Sequence, residues 1–508
     1  MIAFDGFGWR FGGSSTWALR HVALRIDRGQ FVAVAGASGS GKSTLALAMC
    51  GLLIGRHAGD VEGTASVDGR DVATTPLHEL SESIGLVQQN PELQFATLTV
   101  ADEIAFGLEN RCRPADEIRR RCAETMDLLS ISHLADRSLT TLSGGEQQRV
   151  AVATVVSAQP QAIVLDEPTA SLDPAASREL FGMLANLCRR TGLTVVIIEH
   201  KLTQLLPHRP RLIGLSDGRV VHDALADATT TVPSVVWGPV KTDVPIGKSV
   251  IHSGRPLVEM SDVTVEFAGK SVLESASLTL RPGEVAAVLG PNGGGKSTLL
   301  HCMMGLVQPT GGKISVCGTE RSSLSVSRVA RDVALVFQNA DHQLVADSVE
   351  REVTFACRTF GLLDASAKRR ADELVRRATL SDRAADHPFR LSWGQKRRLN
   401  LISVLLHRPR LLLLDEPFAG QDWQNALFVL ELVKTALDGW AESSTSVCDR
   451  SDAGACVMVT HDPRVVARAC SRVLFVCQGR IVLDAPLPDA FDRLREMGHD
   501  AYVPDTYR

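Results

Sequence analysis

The stretch "GASGSGKST" at Gly36–Thr44 returns as "GPNGGGKST" at Gly290–Thr298, which places Lys42 and Lys296 254 residues apart. "LSGGEQQR" from Leu142 returns 249 residues later as "LSWGQKRR" from Leu391, and Glu167 and Glu416 keep the same spacing. So do Gln89 and Gln338, while His200 and His461 lie 261 apart. Within each copy the interval from the glutamine to the signature serine is 54 residues (Gln89 to Ser143, Gln338 to Ser392), so a whole domain has been duplicated. A chain of 508 residues also exceeds what one ordinary hydrophobic core fills. The expectation is two similar domains, 1–226 and 256–508, joined by a linker over 227–255 that mixes Thr, Val, Pro and Gly.

Both copies run in the same order. "FVAVAG" and "VAAVLG" are short apolar runs that end in glycine, followed by a loop and an apolar helix, "TLALAMCGLL" or "TLLHCMMGLV". Later, "QAIVLDEP" and "LLLLDEP" are apolar throughout until two carboxylates, the pattern of central strands covered on both faces. Between them lie helical stretches with Glu/Arg pairs at helical spacing, "ADEIRRRCAETMDLL" and "AKRRADELVRRATL", whose arginines read as solvated helix faces. The fold class is therefore α/β with a helical insertion. The longer spacing before His461 is assigned to "DGWAESSTSVCDRSDAGA" from Asp438, read as a surface loop.

Composition narrows the partners. A formal net charge of -4 offers no general attraction to phosphate backbones, which argues against nucleic acid. The 11 cysteines are scattered without a C-x-x-C pair and read as reduced thiols. The start of the chain lacks a basic region followed by an apolar core. No uninterrupted apolar run approaches the length of a membrane span, so the chain is not expected to cross a membrane by itself.

The chemistry begins at the glycine-rich loops. G-x-x-x-x-G-K-S between a strand and a helix lets backbone N–H groups surround phosphates, with Lys42 and Lys296 as point charges on the β/γ oxygens. The candidate nucleotide-binding residues are Gly36, Ser38, Gly39, Ser40, Gly41, Lys42, Ser43 and Thr44, then Gly290, Asn292, Gly293, Gly294, Gly295, Lys296, Ser297 and Thr298. Ser43 and Ser297 would place hydroxyls on Mg²⁺, as would Asp166 and Asp415 at the strand ends, through water. The following Glu167 and Glu416 can polarise an attacking water. A carboxylate pair ending an apolar strand can also cap a helix, but Pro168 and Pro417 follow in the same way in both copies.

With "LSGGEQQR", "DEPTASLD" and "DEPFAGQD", and with His200 and His461 after the apolar runs "TVVIIEH" and "CVMVTH", the chain resembles the ATP-binding cassette (ABC) ATPases over both halves. The resemblance implies tandem P-loop NTPase domains, each a RecA-like core with an antiparallel β subdomain and a helical subdomain. It implies two ATP sites, each between one half's phosphate loop and the other half's signature: Ser143, Gly144 and Gly145, or Ser392, Trp393 and Gly394. It further implies that His200 and His461 contact the γ-phosphate, that Gln89 and Gln338 reach the Mg²⁺ and the attacking water, and that Asp173 and Asp422 link the halves. Phe11 and Phe267 are candidates either for stacking on adenine or for core packing. Trp393 departs from the pattern, since Gly144 holds that position in the first copy. That difference raises the expectation that the two sites are unequal.

"QQNPELQF" from Gln88 and "FQNADHQL" from Phe337 are similar to the ATPases of energy-coupling factor (ECF) transporters, which import vitamins and transition-metal ions. By that resemblance Gln94 and Gln343 lie beside the groove that receives helices of a transmembrane subunit, and Asp102, Glu103, Glu109, Glu350 and Glu352 are candidates to pair with those helices or simply to start their own. Ala340 departs from Pro91 of the first copy. The partners implied are a transmembrane coupling subunit and a substrate-binding membrane subunit, with the chain peripheral at the cytoplasmic face of the cell membrane. Two other readings stay open: the fused ATPase of another importer class, such as a monosaccharide system, and a soluble ABC protein acting on ribosomes or DNA. The latter class usually shows a long charged helical linker or zinc-binding insertions, and this sequence has neither.

Overall fold

A computed structural model describes residues 1–200, 202–227, 230, 255–267, 269–320, 325–421, 423–441 and 454–504. The chain divides into two compact units, Met1–Thr242 and Asp243–Arg508. Most of the expected linker over 227–255, and Asp422, lie outside the described residues. Among the described residues no helix is long and apolar enough to cross a membrane, and the described cysteines are free thiols.

Among the described residues the first unit contains ten strands: β1 (Ile2–Phe11), β2 (Leu19–Ile26), β3 (Phe31–Ala35), β4 (Gly59–Val67), β5 (Arg70–Asp71), β6 (Ile84–Val87), β7 (Ala162–Asp166), β8 (Thr194–Ile198), β9 (Arg211–Ser216) and β10 (Arg219–Leu225). Its helices are α1 (Lys42–Met49), α2 (Leu77–Ser83), α3 (Val100–Glu109), α4 (Ala115–Leu128), α5 (Gly144–Ser157), α6 (Pro174–Thr191) and α7 (Leu202–Leu205). One sheet has the order β2-β1-β4-β5 and is antiparallel. The other has the order β10-β9-β3-β8-β7-β6 and is parallel except for β10. The strands β3, β7 and β8 are apolar along their length because both of their faces are covered. Alternate residues of β3 show this: Val32 and Val34 join a core shared with the antiparallel sheet and α1, and Ala33 and Ala35 join one shared with α3, α5 and α6. Helix α6 starts at Asp173, whose carboxylate accepts from the amides of Ala175 and Ala176, with Pro174 at the first helical position, and stops at Gly192 with φ 72°.

The second unit repeats this plan with β11 (Val258–Phe267), β12 (Lys270–Leu280), β13 (Val285–Leu289), β14 (Gly311–Val316), β15 (Thr319–Glu320), β16 (Val333–Val336), β17 (Leu411–Asp415), β18 (Ala455–Val459), β19 (Arg472–Cys477) and β20 (Arg480–Pro486). Its sheets are β12-β11-β14-β15 and β16-β17-β18-β13-β19-β20. Helices α8 (Lys296–Met304), α9 (Val326–Val329), α10 (Val349–Thr359), α11 (Ala365–Arg377), α12 (Trp393–Leu405), α13 (Trp423–Ala441), α14 (Pro463–Ala469) and α15 (Leu487–Glu496) complete it. The expected surface loop from Asp438 begins later than the sequence suggests: 438–441 continue α13, and 442–453 lie outside the described residues. The arginines of α4 and α11 pair with glutamates and aspartates one turn away, as Arg120 does with Glu124 at 3.3 Å and Arg377 with Glu373 at 2.7 Å. Such exposed pairs add little stability.

In each unit an acidic residue expected to face a partner is turned inward instead. Glu103 is 1% exposed, and its Oε2 accepts from the amides of Ala96 and Thr97 and from the Thr97 hydroxyl, each at 2.9 Å. Glu352 is 3% exposed and accepts from the amides of Val345 and Ala346 at 2.9 and 2.7 Å. These two carboxylates therefore hold the loop that leads into α3 or α10, because a buried charge is tolerated only with its hydrogen bonds satisfied. Asp102 accepts from the Thr99 hydroxyl at 2.6 Å at the helix start, whereas Glu109 and Glu350 are exposed. Replacing Glu103 with Ala is expected to cost about 1–3 kcal/mol, since it removes the buried acceptor of two loop amides, and to speed hydrogen exchange at Ala96 and Thr97. Chemical denaturation with exchange mass spectrometry checks this; unchanged protection of those amides contradicts it.

Candidate functional site

The parallel sheet fixes where the chemistry sits. Strands β3, β8, β7 and β6 lie side by side and all point the same way, with Phe31 opposite Val195, Ala162 opposite Thr194, and Ile84 opposite Ala162. Their carboxyl ends therefore deliver the phosphate loop, His200, the Asp166–Glu167 pair and Gln89 to one edge, the usual location of a ligand site in such a sheet. In the second unit β13, β18, β17 and β16 do the same for Lys296, His461, Asp415–Glu416 and Gln338.

Both phosphate loops are shaped by close backbone approaches. A Cβ on Gly36 would lie 2.2 Å from the Leu215 carbonyl and one on Gly290 2.0 Å from that of Val476, so neither position admits a side chain. Gly41 and Gly295 open α1 and α8 with φ of 100° and 102°. Gly39 and Gly293 also have positive φ. Lys42 is 5% exposed, and its Nζ donates to the carbonyls of Gly36 and Ala37 at 3.0 and 2.9 Å; Lys296 does the same to Gly290 and Pro291 at 3.0 and 2.8 Å. Each ammonium is thus curled back over its own loop, with the helix N-terminus behind it. Ser40 is buried and Gly294 occupies its place in the second unit. Thr44 and Thr298 lie in the first turn of their helices, after Ser43 and Ser297.

The carboxylate pairs end fully apolar strands. Asp166 is hydrogen-bonded by the Ser43 hydroxyl, but burial dominates and raises its pKa to about 6, with Glu167 adding to the rise and Lys42 and His200 opposing it. Burial likewise raises the pKa of Asp415, against the Ser297 hydroxyl and His301. Oδ1 of both aspartates is buried with no hydrogen-bond partner among the described residues. A buried carboxylate oxygen beside a serine hydroxyl is a pair of oxygen donors that suits Mg²⁺, which needs few protein ligands when phosphates and water supply the rest. Glu167 and Glu416 both adopt φ 47°, a costly conformation for a non-glycine residue that the surrounding strands enforce. Their amides donate to the carbonyls of Ile198 and Val459 at 3.0 and 3.1 Å.

The two units differ in how the glutamate is held. Glu167 is gripped at both oxygens: Gln89 Nε2 donates to Oε2 at 3.0 Å and His200 Nε2 lies 2.9 Å from Oε1. In the second unit His461 Nε2 is shared between Glu416 Oε1 at 3.1 Å and Asn292 Oδ1 at 2.9 Å, a bridge to the phosphate loop. There the carbonyls of Gln338 and Glu416 are held as well. Arg397, on α12, donates to the carbonyls of both, each at 2.6 Å. It is 3% exposed, and burial lowers its pKa to about 10, so it stays cationic at neutral pH.

The glutamine segments are short 3₁₀ turns, Pro91–Leu93 and Ala340–His342, each started by an asparagine (Asn90, Asn339) whose side chain accepts the amide two residues on. Gln94 Oε1 accepts from the Gln88 amide at 3.2 Å and Gln343 Oε1 from the Phe337 amide at 3.4 Å. The recurrent glutamine therefore closes its own loop. Around it, Leu93 is 77%, Leu98 80% and Val345 64% exposed, and Phe106 and Phe355, at matching positions on α3 and α10, are also exposed.

Both signatures begin a helix through a capping box, Ser143 with Glu146 and Ser392 with Gln395. Gly144, Gly145 and Gly394 stand in first turns; a Cβ on Gly144 or Gly145 would touch Leu172 or Ala176 at 3.7 Å, whereas Gly394 faces open space, and Trp393 is 40% exposed with its ring 5.3 Å from the Arg397 guanidinium carbon. The Asp173 carboxylate caps α6 within its own unit. Phe11 packs edge-on against Trp9 and His57, while Phe267 is half-exposed at the end of β11. Motif reading missed Arg397, Lys396 and Asn400. The available signal was the change from "EQQR" to "QKRR", which puts a charge where the first copy buries Gln148.

Against known proteins, the family model described as "ABC transporter" matches residues 19–170 and 273–419. A provisionally named ABC transporter ATP-binding protein of Methanosarcina acetivorans is 32% identical over 96% of this chain and 90% of its own length. A Bacillus subtilis protein provisionally named HMP/thiamine import ATP-binding protein YkoD is 31% identical over 93% of this chain and 89% of its own. Among solved structures, the complex of archaeal ribosomal stalk protein aP1 with ribosome recycling factor aABCE1 matches with TM-score 0.64 at 19% identity, covering 97% of this chain and 92% of that one, a likeness of fold. The chain belongs to the ABC transporter family and is an ATP-hydrolysing member of it.

The raised pKa of Asp166 has a definite sign. Unfolded, the carboxyl ionises near 3.9; folded, near 6. The nucleotide-free protein thus keeps full stability below the unfolded value and loses on the order of 2–3 kcal/mol as pH rises through 6. Asp166→Asn is expected to raise the melting temperature of the metal-free protein at pH 7.5, with the gain shrinking toward pH 5, and to remove stabilisation by Mg²⁺ with ATP. Thermal scans at the two pH values check this; a variant less stable than the parent at pH 7.5 contradicts it.

Proposed function

We propose that this ABC-family ATPase is the ATP-hydrolysing subunit of an ECF-type importer, driving uptake of a vitamin or transition-metal ion through membrane subunits that it contacts from the cytoplasmic face. The observation that carries this reading is the pair of glutamine segments. Each is a closed loop that follows the glutamine, Gln89 or Gln338, and the first of these bonds Glu167; each carries exposed apolar side chains: Leu93 and Leu98 in the first unit, Val345 in the second. Apolar residues standing out beside a catalytic loop form a surface suited to a partner's helices. The B. subtilis relative, named for HMP/thiamine import, supports the importer direction.

In the mechanism, ATP is held by Lys42 or Lys296 and the amides of its loop, with the other unit's signature helix, started by Ser143 or Ser392, closing on the γ-phosphate. Ser43, Asp166 and Gln89, or Ser297, Asp415 and Gln338, would hold Mg²⁺, which when bound supplies positive charge to the phosphate oxygens. Glu167 and Glu416 orient the attacking water and take its proton, and His200 and His461 fix those carboxylates and face the γ-phosphate. Asp173 and Asp422 join the units, and Phe11 and Phe267 border the adenine. For Gln89 to leave Glu167 when nucleotide binds, its 3.0 Å bond to that carboxylate must break. That movement lies at the base of the loop that carries Leu93, and it is the step that couples ATP to the partner.

The test is purification of the tagged chain from membranes under mild detergent, with the attached integral proteins identified. A transmembrane coupling subunit and a small membrane-embedded substrate binder are expected. Leu93→Asp with Leu98→Asp is expected to lose both while ATP hydrolysis by the isolated chain stays within about twofold, since neither side chain bears on the phosphate site. Recovery with ribosomes and without integral membrane proteins overturns the proposal.

A further inference from the structure

Helix α12 of the second unit is bonded to the Gln338 loop at several points along two turns. Lys396 Nζ meets Asp341 Oδ1 at 2.7 Å, Arg397 meets the Gln338 carbonyl at 2.6 Å, and Asn400 Nδ2 meets the Ala340 carbonyl at 2.8 Å. The Gln343 amide returns to the Asn400 carbonyl at 3.5 Å, and Arg397 reaches past the loop to the Glu416 carbonyl. In the first unit, α5 bears Gln147, Gln148 and Ala151 at those three positions. Gln147 bonds Glu92 at 3.1 Å. The buried Nε2 of Gln148 has no acceptor among the described residues, and Ala151 has nothing to offer.

Arg397 is also the floor for Trp393. The two are four residues apart on α12, so the guanidinium lies against the indole while Nη1 and Nη2 donate to the two carbonyls. A buried guanidinium is costly unless its donors are used, and here geometry leaves it little freedom to move independently of what it holds. The first unit, with Gly144 and Gln148 at these places, has neither the ring nor the charge.

We infer that Arg397, stacked under Trp393, is a positioning residue that ties the signature end of α12 to Gln338 and Glu416 of the same unit, so that the second unit's catalytic carboxylate moves with its signature helix while the first unit's does not. Arg397 on a neighbouring helix holds the Glu416 carbonyl, and Gln89 holds the Glu167 carboxylate. A push on Trp393 reaches Glu416 through one side chain. The proposal concerns turnover by the chain alone and stands whether or not the importer reading holds.

The experiment measures ATP hydrolysis by the full-length chain in two backgrounds: Glu167→Gln, where Glu416 alone serves, and Glu416→Gln, where Glu167 alone serves. In the first, Arg397→Gln is expected to lower kcat about tenfold with KM within about twofold, and Trp393→Gly to lower kcat about threefold. The two together are expected to lower it no further than Arg397→Gln alone, because both act through one path. In the second background Arg397→Gln is expected to cost less than about threefold. Hydrogen exchange provides a reading independent of turnover: amides 338–343 exchange faster in Arg397→Gln than in the parent. If Arg397→Gln fails to fold, Arg397→Lys, which keeps the charge but not the fork, replaces it with an intermediate loss of kcat. Equal losses in both backgrounds, additive effects of the two substitutions, or unchanged exchange at 338–343 overturn the proposal.

Discussion

A carboxylate pair set at the end of an otherwise apolar strand is the constraint from which the rest of each unit follows. Burying Asp166 or Asp415 is unfavourable unless a cation or donors arrive, and the parallel sheet brings them from the neighbouring strands: the serine after the phosphate-loop lysine, the histidine after the next strand, and the glutamine after the edge strand. The sheet must be parallel for these groups to share one edge, and its central strands must be apolar on both faces because helices and the antiparallel sheet cover them. The Oδ1 atoms of Asp166 and Asp415, buried without a hydrogen-bond partner among the described residues, are where the proposed Mg²⁺ would bind.

The duplication has not preserved equivalence. The same elements position the same residue types, yet the bonds around the glutamate differ. Gln89 and His200 hold the carboxylate of Glu167, whereas Arg397 holds the carbonyl of Glu416 and His461 bridges its carboxylate to Asn292. The buried pair Thr169 and Glu199, bonded at 2.8 Å, becomes Phe418 and Thr460 in the second unit. Such exchanges redistribute the polar bonds of the core, and a polar bond is where small movements become discrete alternatives.

Much of this was legible in the residues. A glycine loop between an apolar strand and an apolar helix, a strand closed by Asp-Glu-Pro, and a fixed spacing between copies identify the phosphate loops and the carboxylates, because each motif is local and its physics is carried by backbone shape. The roles of Gln94, Gln343, Glu103 and Glu352 were not legible. As sequence they read as polar residues facing a partner, and the structure gives their oxygens to amides six or seven residues away within their own loops. Asp173 likewise serves first as a helix cap. A hydrogen bond between residues brought together by a turn leaves no period in the sequence.

By itself the sequence determined that one domain is written twice, that each copy is an α/β fold with a phosphate loop at a strand end, and that Trp393 breaks the symmetry between the copies. These follow from local patterns of apolarity, glycine and spacing. Only the tertiary structure decided that Arg397 lies beneath that tryptophan with its donors on Gln338 and Glu416, since the three belong to segments separated by 59 and 19 residues. The physical reason is burial: whether a charge ends in water or against a carbonyl depends on which segments pack over it, and that is settled when the core closes.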